Sequence, residues 1–242
     1  MKDANLLENL ATFEGIIGYK FNNRRLLKHA LSHSSYANEK RMNKLENNER
    51  LEFLGDAVLE LITSEFIFMK YSKLPEGELT KLRAQLVCEQ TLATCAIELK
   101  VGNYLLLGKG EAATGGRERF SILCDAMEAI IGAIYLDGGF TSAKEFVCNY
   151  ILSDVENKAL FFDSKTILQE IVQSEYKESL SYELIKEEGP DHNKKFTVVA
   201  LVKNMELGTG IGRTKKAAEQ EAAYQSILKI KKRGAKNVLK KH

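Results

Sequence analysis

Apolar residues recur every three or four positions through most of the chain up to about residue 157, and this spacing predicts helices. The clearest examples are LEFLGDAVLELITSEFIFMKY, GELTKLRAQLVCEQTLATCAIEL and SILCDAMEAIIGAIYLDGG. No alternating strand pattern interrupts them. Ser121 is expected to cap the third of these helices, and Gly138 with Gly139 to end it. The pattern therefore predicts an all-α N-terminal domain.

The pattern changes after about Phe162. KTILQEIVQSEY has the spacing of a short amphipathic helix, SYELIKEE and KKFTVVALVKN alternate or run β-branched, ELGTGIG is typical of a glycine-rich strand, and TKKAAEQEAAYQSILKI predicts a second helix. The order α-β-β-β-α indicates a compact α+β domain with a meander sheet. We expect domains at residues 1–155 and 163–232, joined near residues 153–164.

Four acids lie on one face of the helix predicted around LEFLGDAVLELI. Glu49, Glu52, Asp56 and Glu60 fall within about 80° of each other on a helical wheel, opposite an apolar face. One explanation is a solvated face. However, no Lys or Arg follows any of these acids at i+4 to relieve their repulsion. Phe53 also lies on the acidic side, where its own core cannot bury it.

A second acid pair interrupts an otherwise apolar helix. Asp125 and Glu128 are the charged residues of SILCDAMEAIIGAIYL, and a helix that is apolar all round belongs in a core. Buried carboxylates must be protonated, paired with a base elsewhere in the chain, or bound to a metal. If the two acidic helices pack face to face, Glu52 and Asp56 join this pair in an all-oxygen cluster. Such ligands favour Mg²⁺ or Mn²⁺ over zinc.

Composition and charge narrow the class of protein. The 242 residues are 44% hydrophobic, enough for one large or two smaller domains. Residues 161–242 hold 16 basic and 11 acidic residues, which would suit a polyanion, although the last lysines have the composition of a solvated tail. The four cysteines are widely spaced in apolar patterns and are expected to be reduced core residues. The N-terminus lacks signal-peptide features and no apolar run is long enough to span a membrane, so we expect a cytoplasmic protein.

Several segments resemble the ribonuclease III family. NERLEFLGDAVL is similar to the family signature, GGRERFSILCDAMEAIIGAIYLDGG is similar to its second catalytic segment, and ALSHSSYANE and EGELTKLRAQLV fit the same nuclease domain. GPDHNKKFTV and GTGIGRTKKAAEQEAA resemble a double-stranded-RNA-binding domain. Together these segments cover nearly the whole chain, in the order of the short bacterial enzyme.

The resemblance implies a homodimeric endoribonuclease that cuts both strands of double-stranded RNA and leaves 5′-phosphate and 3′-hydroxyl ends. Expected substrates are ribosomal RNA precursors and structured messenger RNAs, with Mg²⁺ (or Mn²⁺) as the cofactor and no small-molecule cofactor or membrane partner. The implied metal ligands are Glu52, Asp56, Asp125 and Glu128.

By the same resemblance, Asp56 and Glu128 stand closest to the chemistry. Glu49 would position RNA or complete the active valley, and Phe53 would insert into the partner subunit. Glu60 matches no family catalytic position and is expected to be solvated. Glu76 fits a family acid to which the sequence gives no definite role.

Candidate RNA-binding residues occur in both regions. Thr166, Gln169 and Gln173 share one helical face suited to minor-groove 2′-hydroxyls, and His192 follows in a loop that would enter the next minor groove. Lys215 and Lys216 open the last helix, where the helix dipole disfavours cations and a phosphate contact would offset that cost. Arg117 and Arg119 precede the second acidic helix, either near the cut or in a solvated loop.

Two alternatives explain part of the sequence. A non-catalytic double-stranded-RNA-binding protein could be built on the same folds, but it would have no need for the acids at 49, 52, 56, 125 and 128. A different metal-dependent phosphohydrolase would explain the acids but not the C-terminal domain.

Overall fold

The computed structural model describes residues 2–41, 43–189 and 194–239. It divides into two compact units, Met1–Val155 and Glu156–His242. Each unit has its own core. Within the described residues, no helix combines the length and the apolar character needed to cross a membrane.

The first unit is helical, as the sequence predicts. Apart from an isolated bridge between Ser32 and Leu106, its described residues form helices, turns and loops. The helices are α1 (Lys2–Ile17), α2 (Arg24–Ala30), α3 (Ser34–Glu39), α4 (Glu49–Lys70), α5 (Glu76–Leu86), α6 (Glu89–Glu98), α7 (Val101–Tyr104), α8 (Lys109–Ala113) and α9 (Phe120–Tyr150).

Helices α4 and α9 cross closely at the centre of this unit. A Cβ atom on Gly55 would lie 1.8 Å from the backbone oxygen of Glu128, and one on Gly132 would lie 2.3 Å from the backbone oxygen of Leu51. Only glycine leaves room for backbones this close together. Apolar side chains of both helices, such as Leu59 and Ile130, are fully buried nearby. The crossing therefore fixes which turns of the two helices face each other.

Helix α9 differs from the sequence prediction at both ends. It begins at Phe120 after the cap residue Arg119, so Ser121 is not the N-cap; it lies exposed in the first turn. Gly139 has a φ of 77°, which breaks the regular helix, but the chain resumes helical geometry and continues to Tyr150. The predicted stop is therefore a kink, because residues beyond it, such as Phe146 and Val147, bury apolar surface.

The second unit has the predicted α-β-β-β-α order. Its elements are α10 (Val155–Ile171), a π-helical turn (Val172–Tyr176), β1 (Leu180–Glu188), β2 (Lys195–Val202), β3 (Met205–Gly212) and α11 (Lys215–Leu239). The strands are antiparallel in the order β1-β2-β3. Leu168, Val198, Ala200 and Ile227 belong to the core between sheet and helices. The glycines of GTGIG face α11, and a Cβ on Gly210 would lie 2.2 Å from the backbone nitrogen of Ala222.

Candidate active site

The acids of α4 lie on successive turns at the start of the helix. The side chain of Asn47 accepts a hydrogen bond from the Glu49 N–H at 3.2 Å, and α4 begins there. Glu49 and Asp56 are exposed, whereas Glu52 is half-buried. The helix thus presents carboxylates at different depths beside its crossing with α9.

Asp125 and Glu128 face this region from α9. Both are half-buried. The helix lies in the core as expected, but its two acids are half-buried rather than fully enclosed. Apolar neighbours such as Met127 and Ala129 are fully buried, so the two acids mark the open side of the helix.

The carboxylates of the two helices interact electrostatically. Burial and the neighbouring charges of Asp56, Glu52 and Asp125 raise the pKa of Glu128 to about 7. Burial, with repulsion from Asp125, Glu49 and Asp56, also raises the pKa of Glu52. Placing these anions together therefore costs free energy, which a bound dication would offset. Electrostatic interactions link the predicted set Glu52, Asp56, Asp125 and Glu128. Of these four, Asp125 and Glu128 are the ones found in the described group of side chains whose ligand atoms lie within 4.8 Å of one another. All four carry hard oxygen ligands of the kind that Mg²⁺ and Mn²⁺ prefer.

Cys124 is part of this site, although the sequence suggested only a core thiol. Its side chain is buried, and its Sγ donates to Glu128 Oε1 at 3.7 Å. One ligand atom each from Cys124, Asp125 and Glu128 lie within 4.8 Å of one another. Burial, followed by the charges of Glu128 and Asp125, raises the pKa of the thiol above its ordinary range. None of the four cysteines forms a disulfide; Cys95 is buried, and Cys88 and Cys148 are half-buried.

His33 is a second residue near the carboxylates, after Cys124, that the sequence did not reveal. Its Nδ1 caps α3 by accepting the Ser35 N–H at 3.2 Å and lies 2.8 Å from Ser35 Oγ. Burial raises the pKa of Asp125, and the charge of His33 partly opposes that shift. A single capping histidine carries no sequence signal for such a position, because its nearness to Asp125 is set by tertiary structure.

Glu60 and Arg117 each have partners within the first unit. Glu60 is not simply solvated: its Oε2 lies 2.8 Å from Arg83 Nε, because α5 packs on α4. Arg117 donates to the carbonyl oxygens of Gly102 at 2.8 Å and Leu105 at 2.9 Å.

Arg119 forms an ion pair with Glu111. Glu76 is exposed and accepts a hydrogen bond from the Thr80 hydroxyl at 2.8 Å. Phe53 projects from α4 with 81% of its surface exposed.

In the second unit, the predicted polar face is exposed. Thr166 and Gln169 on α10, and Gln173 in the π-helical turn, are accessible to solvent. Lys215 and Lys216 are exposed in the first turn of α11, which contains no acid. His192 lies outside the described residues.

A helical unit with a carboxylate site, followed by an α-β-β-β-α unit, defines a class of two-domain nucleases that bind double-stranded RNA. Residues 23–155 match the family model for "Ribonuclease-III-like" domains, and residues 164–230 match that for the double-stranded RNA binding motif. The chain belongs to the ribonuclease III family, whose enzyme class is the double-strand-specific endoribonucleases.

Individual relatives support this membership. The chain is 47% identical to ribonuclease 3 of Bacillus velezensis, in an alignment that covers 95% of this chain and 93% of the relative. It is also 47% identical to ribonuclease 3 of Pelotomaculum thermopropionicum, covering 92% and 93% respectively. A solved nuclease domain of ribonuclease III from Campylobacter jejuni is 46% identical with a TM-score of 0.55, covering 59% of this chain and 95% of that domain.

Proposed function

We propose that this double-strand-specific endoribonuclease uses Mg²⁺ to hydrolyse both strands of an RNA duplex, leaving 5′-phosphate and 3′-hydroxyl ends. The observation that carries the proposal is the convergence of carboxylates from α4 and α9 beside their glycine crossing. Glu52, Asp56, Asp125 and Glu128 would hold the ion, and Mn²⁺ fits the same oxygen ligands. We assign catalysis to residues 1–155 and duplex binding to residues 163–232.

The bound dication would activate water and stabilise charge on the attacking and leaving oxygens of the phosphodiester. The protein's contribution is to fix the ligands. Asp56 is exposed and would face the incoming RNA strand, whereas Glu128 is half-buried and projects from α9. Glu49, exposed in the first turn of α4, would position the RNA backbone at the edge of the site.

We also propose that the enzyme acts as a homodimer with Phe53 as an anchor. A phenyl ring that is 81% exposed beside an acidic face loses favourable burial unless a partner covers it. The related Campylobacter jejuni nuclease domain has a region involved in dimer formation. Two copies related by a two-fold axis would direct one site at each RNA strand.

The second unit would bind the duplex by shape. Thr166, Gln169 and Gln173 offer short polar groups to 2′-hydroxyls in a minor groove, and Lys215 with Lys216 would contact phosphates. We propose that His192 contacts the next minor groove. We propose ribosomal RNA precursors and structured messenger RNAs as substrates in the cytoplasm, in keeping with bacterial relatives named ribonuclease 3.

A cleavage assay on a long perfect RNA duplex with Mg²⁺ tests the proposal. Wild-type protein should cut the duplex but not a single-stranded control, and the mapped products should carry 5′-phosphates. Glu128→Gln should still bind the duplex but lose cleavage by at least about a hundredfold, because a metal ligand is removed. Glu145→Gln is the matched control, since Glu145 is an exposed acid farther along α9.

The main competing function is that of a non-catalytic duplex-RNA-binding protein. Tight binding without cutting by wild type and by Glu128→Gln would establish that function instead. Equal cleavage by the two proteins would remove Glu128 from the chemistry while leaving the nuclease activity in place.

A further inference from the structure

The thiol of Cys124 and the carboxylate of Glu128 stand one helical turn apart on α9. Cys124 is 8% exposed, and its Sγ lies 3.7 Å from Glu128 Oε1. With an oxygen of Asp125, these atoms form a group of three within 4.8 Å. Two ligands at i and i+4 on one helix are a common spacing in zinc sites.

The distance between sulfur and oxygen matches that across a single thiophilic ion. Zn–S bonds of about 2.3 Å and Zn–O bonds of about 2.0–2.2 Å at a tetrahedral angle separate the two ligand atoms by roughly 3.6 Å. The 3.7 Å between Cys124 and Glu128 is close to that value. Sulfur adds little for Mg²⁺, which prefers oxygen, but it strongly favours Zn²⁺ and Cd²⁺.

We propose that Cys124 determines the metal specificity of this site, so that Zn²⁺ or Cd²⁺ binds Cys124, Asp125 and Glu128 and competes with Mg²⁺. The inference rests on the proposed function in one respect, that Asp125 and Glu128 hold the catalytic cation. On binding, the thiol releases its proton to solvent and the thiolate sulfur bonds to the ion. Because Glu128 is then engaged, the thiophilic ion inhibits Mg²⁺-dependent cleavage.

The test is a titration of the full-length, chelator-treated protein with CdCl₂, without RNA. Near-ultraviolet absorption reports cadmium–thiolate bonds, and calorimetry reports the affinity. Wild type should show the absorption and bind one Cd²⁺ at least about tenfold more tightly than Cys124→Ala, since loss of even an outer-shell partner weakens metal binding on that scale. In parallel, Zn²⁺ should inhibit wild-type cleavage at lower concentration than it inhibits the variant.

Two further variants make the result specific. Cys124→Ser nearly keeps the size of the side chain and its capacity to donate to Glu128 but removes sulfur, so it should bind Cd²⁺ as weakly as Cys124→Ala even if alanine disturbs the fold. Cys148→Ala removes another free, half-buried thiol of α9 and should behave like wild type.

Cadmium binding of equal affinity in wild type, Cys124→Ala and Cys124→Ser would overturn the inference. So would the absence of tight Cd²⁺ binding to the wild type. Either result leaves the proposed function standing if the wild type cuts duplex RNA with Mg²⁺ and Glu128→Gln does not. If the wild type binds Cd²⁺ through Cys124 but does not cut duplex RNA, the proposed function fails and the metal specificity of the site remains.

Discussion

At the scale of single residues, the site depends on glycines as much as on acids. Gly55 precedes Asp56 and packs against the backbone of Glu128, so the residue that permits the crossing adjoins the ligands that the crossing brings together. A side chain at this position cannot be accommodated by rotating a flexible neighbour, because the contact is with backbone atoms. The glycine therefore links the packing of the unit directly to the spacing of its carboxylates.

We expect Gly55→Ala to destabilise the protein by at least about 2 kcal/mol, because the added methyl group must push α4 and α9 apart. Urea unfolding measures this effect. Gly15→Ala is the control: Gly15 lies within α1, a Cβ there would meet nothing within 4 Å, and alanine should stabilise the helix by up to about 1 kcal/mol. Similar stabilities for Gly55→Ala and wild type would show that the helices tolerate a wider crossing.

At the scale of elements, α11 begins in a way that weakens the helix itself. The Thr214 hydroxyl accepts the Ala217 N–H at 3.1 Å and so caps the helix, yet Lys215 and Lys216 place two exposed cations at the positive end of its dipole. No acid in the first turn compensates them. An unfavourable arrangement of this kind is explained if the lysines meet phosphate groups.

Replacing Lys215 and Lys216 with alanine should weaken duplex RNA binding and reduce the slope of log affinity against log salt by about one for each phosphate that the lysines neutralise. The same change should leave α11 slightly more stable, by a few tenths of a kcal/mol to about 1 kcal/mol. Filter binding across a salt series and thermal unfolding measure the two effects. Lys231→Ala with Lys232→Ala is the control, because it removes equal charge from the same helix. If it weakens RNA binding as much, binding depends on overall positive charge and not on Lys215 and Lys216 in particular.

At the scale of the whole molecule, the exposed phenyl ring of Phe53 is the proposed point of contact with a second chain. Phe13 and Phe146 of the first unit are buried, whereas on α4 Phe53 is 81% exposed and Phe68 is 68% exposed. Dimerisation would cover the ring and place one active site against each strand of the duplex.

Phe53→Ala should weaken the dimer by at least about 2 kcal/mol, as expected when an aromatic anchor is truncated. Sedimentation velocity over a range of protein concentrations measures the dissociation constant. Ile97→Ala removes another exposed apolar side chain, 51% accessible on α6, and should leave the dimer unchanged. A dimer as tight in Phe53→Ala as in wild type would contradict the anchor role.

The sequence by itself determined the helical first domain, the α-β-β-β-α second domain and the two acid pairs. These features are local: helical and strand periods are set within a few residues, so the acids at 52 and 56, or at 125 and 128, necessarily share a face. The glycines of GTGIG similarly marked a glycine-rich strand, although only the structure showed that α11 packs on it. The family resemblance added expected roles for those residues, and the comparisons confirmed the family.

Only the tertiary structure decided how deep the acids lie and what surrounds them. Half-burial of Asp125 and Glu128 follows from where α9 crosses α4, and the pairing of Glu60 with Arg83 follows from how α5 packs. The kink at Gly139, in place of a helix end, is likewise set by what the later turns bury. Contacts between residues so far apart in the chain depend on crossing angles and close approach, which side-chain periodicity does not encode.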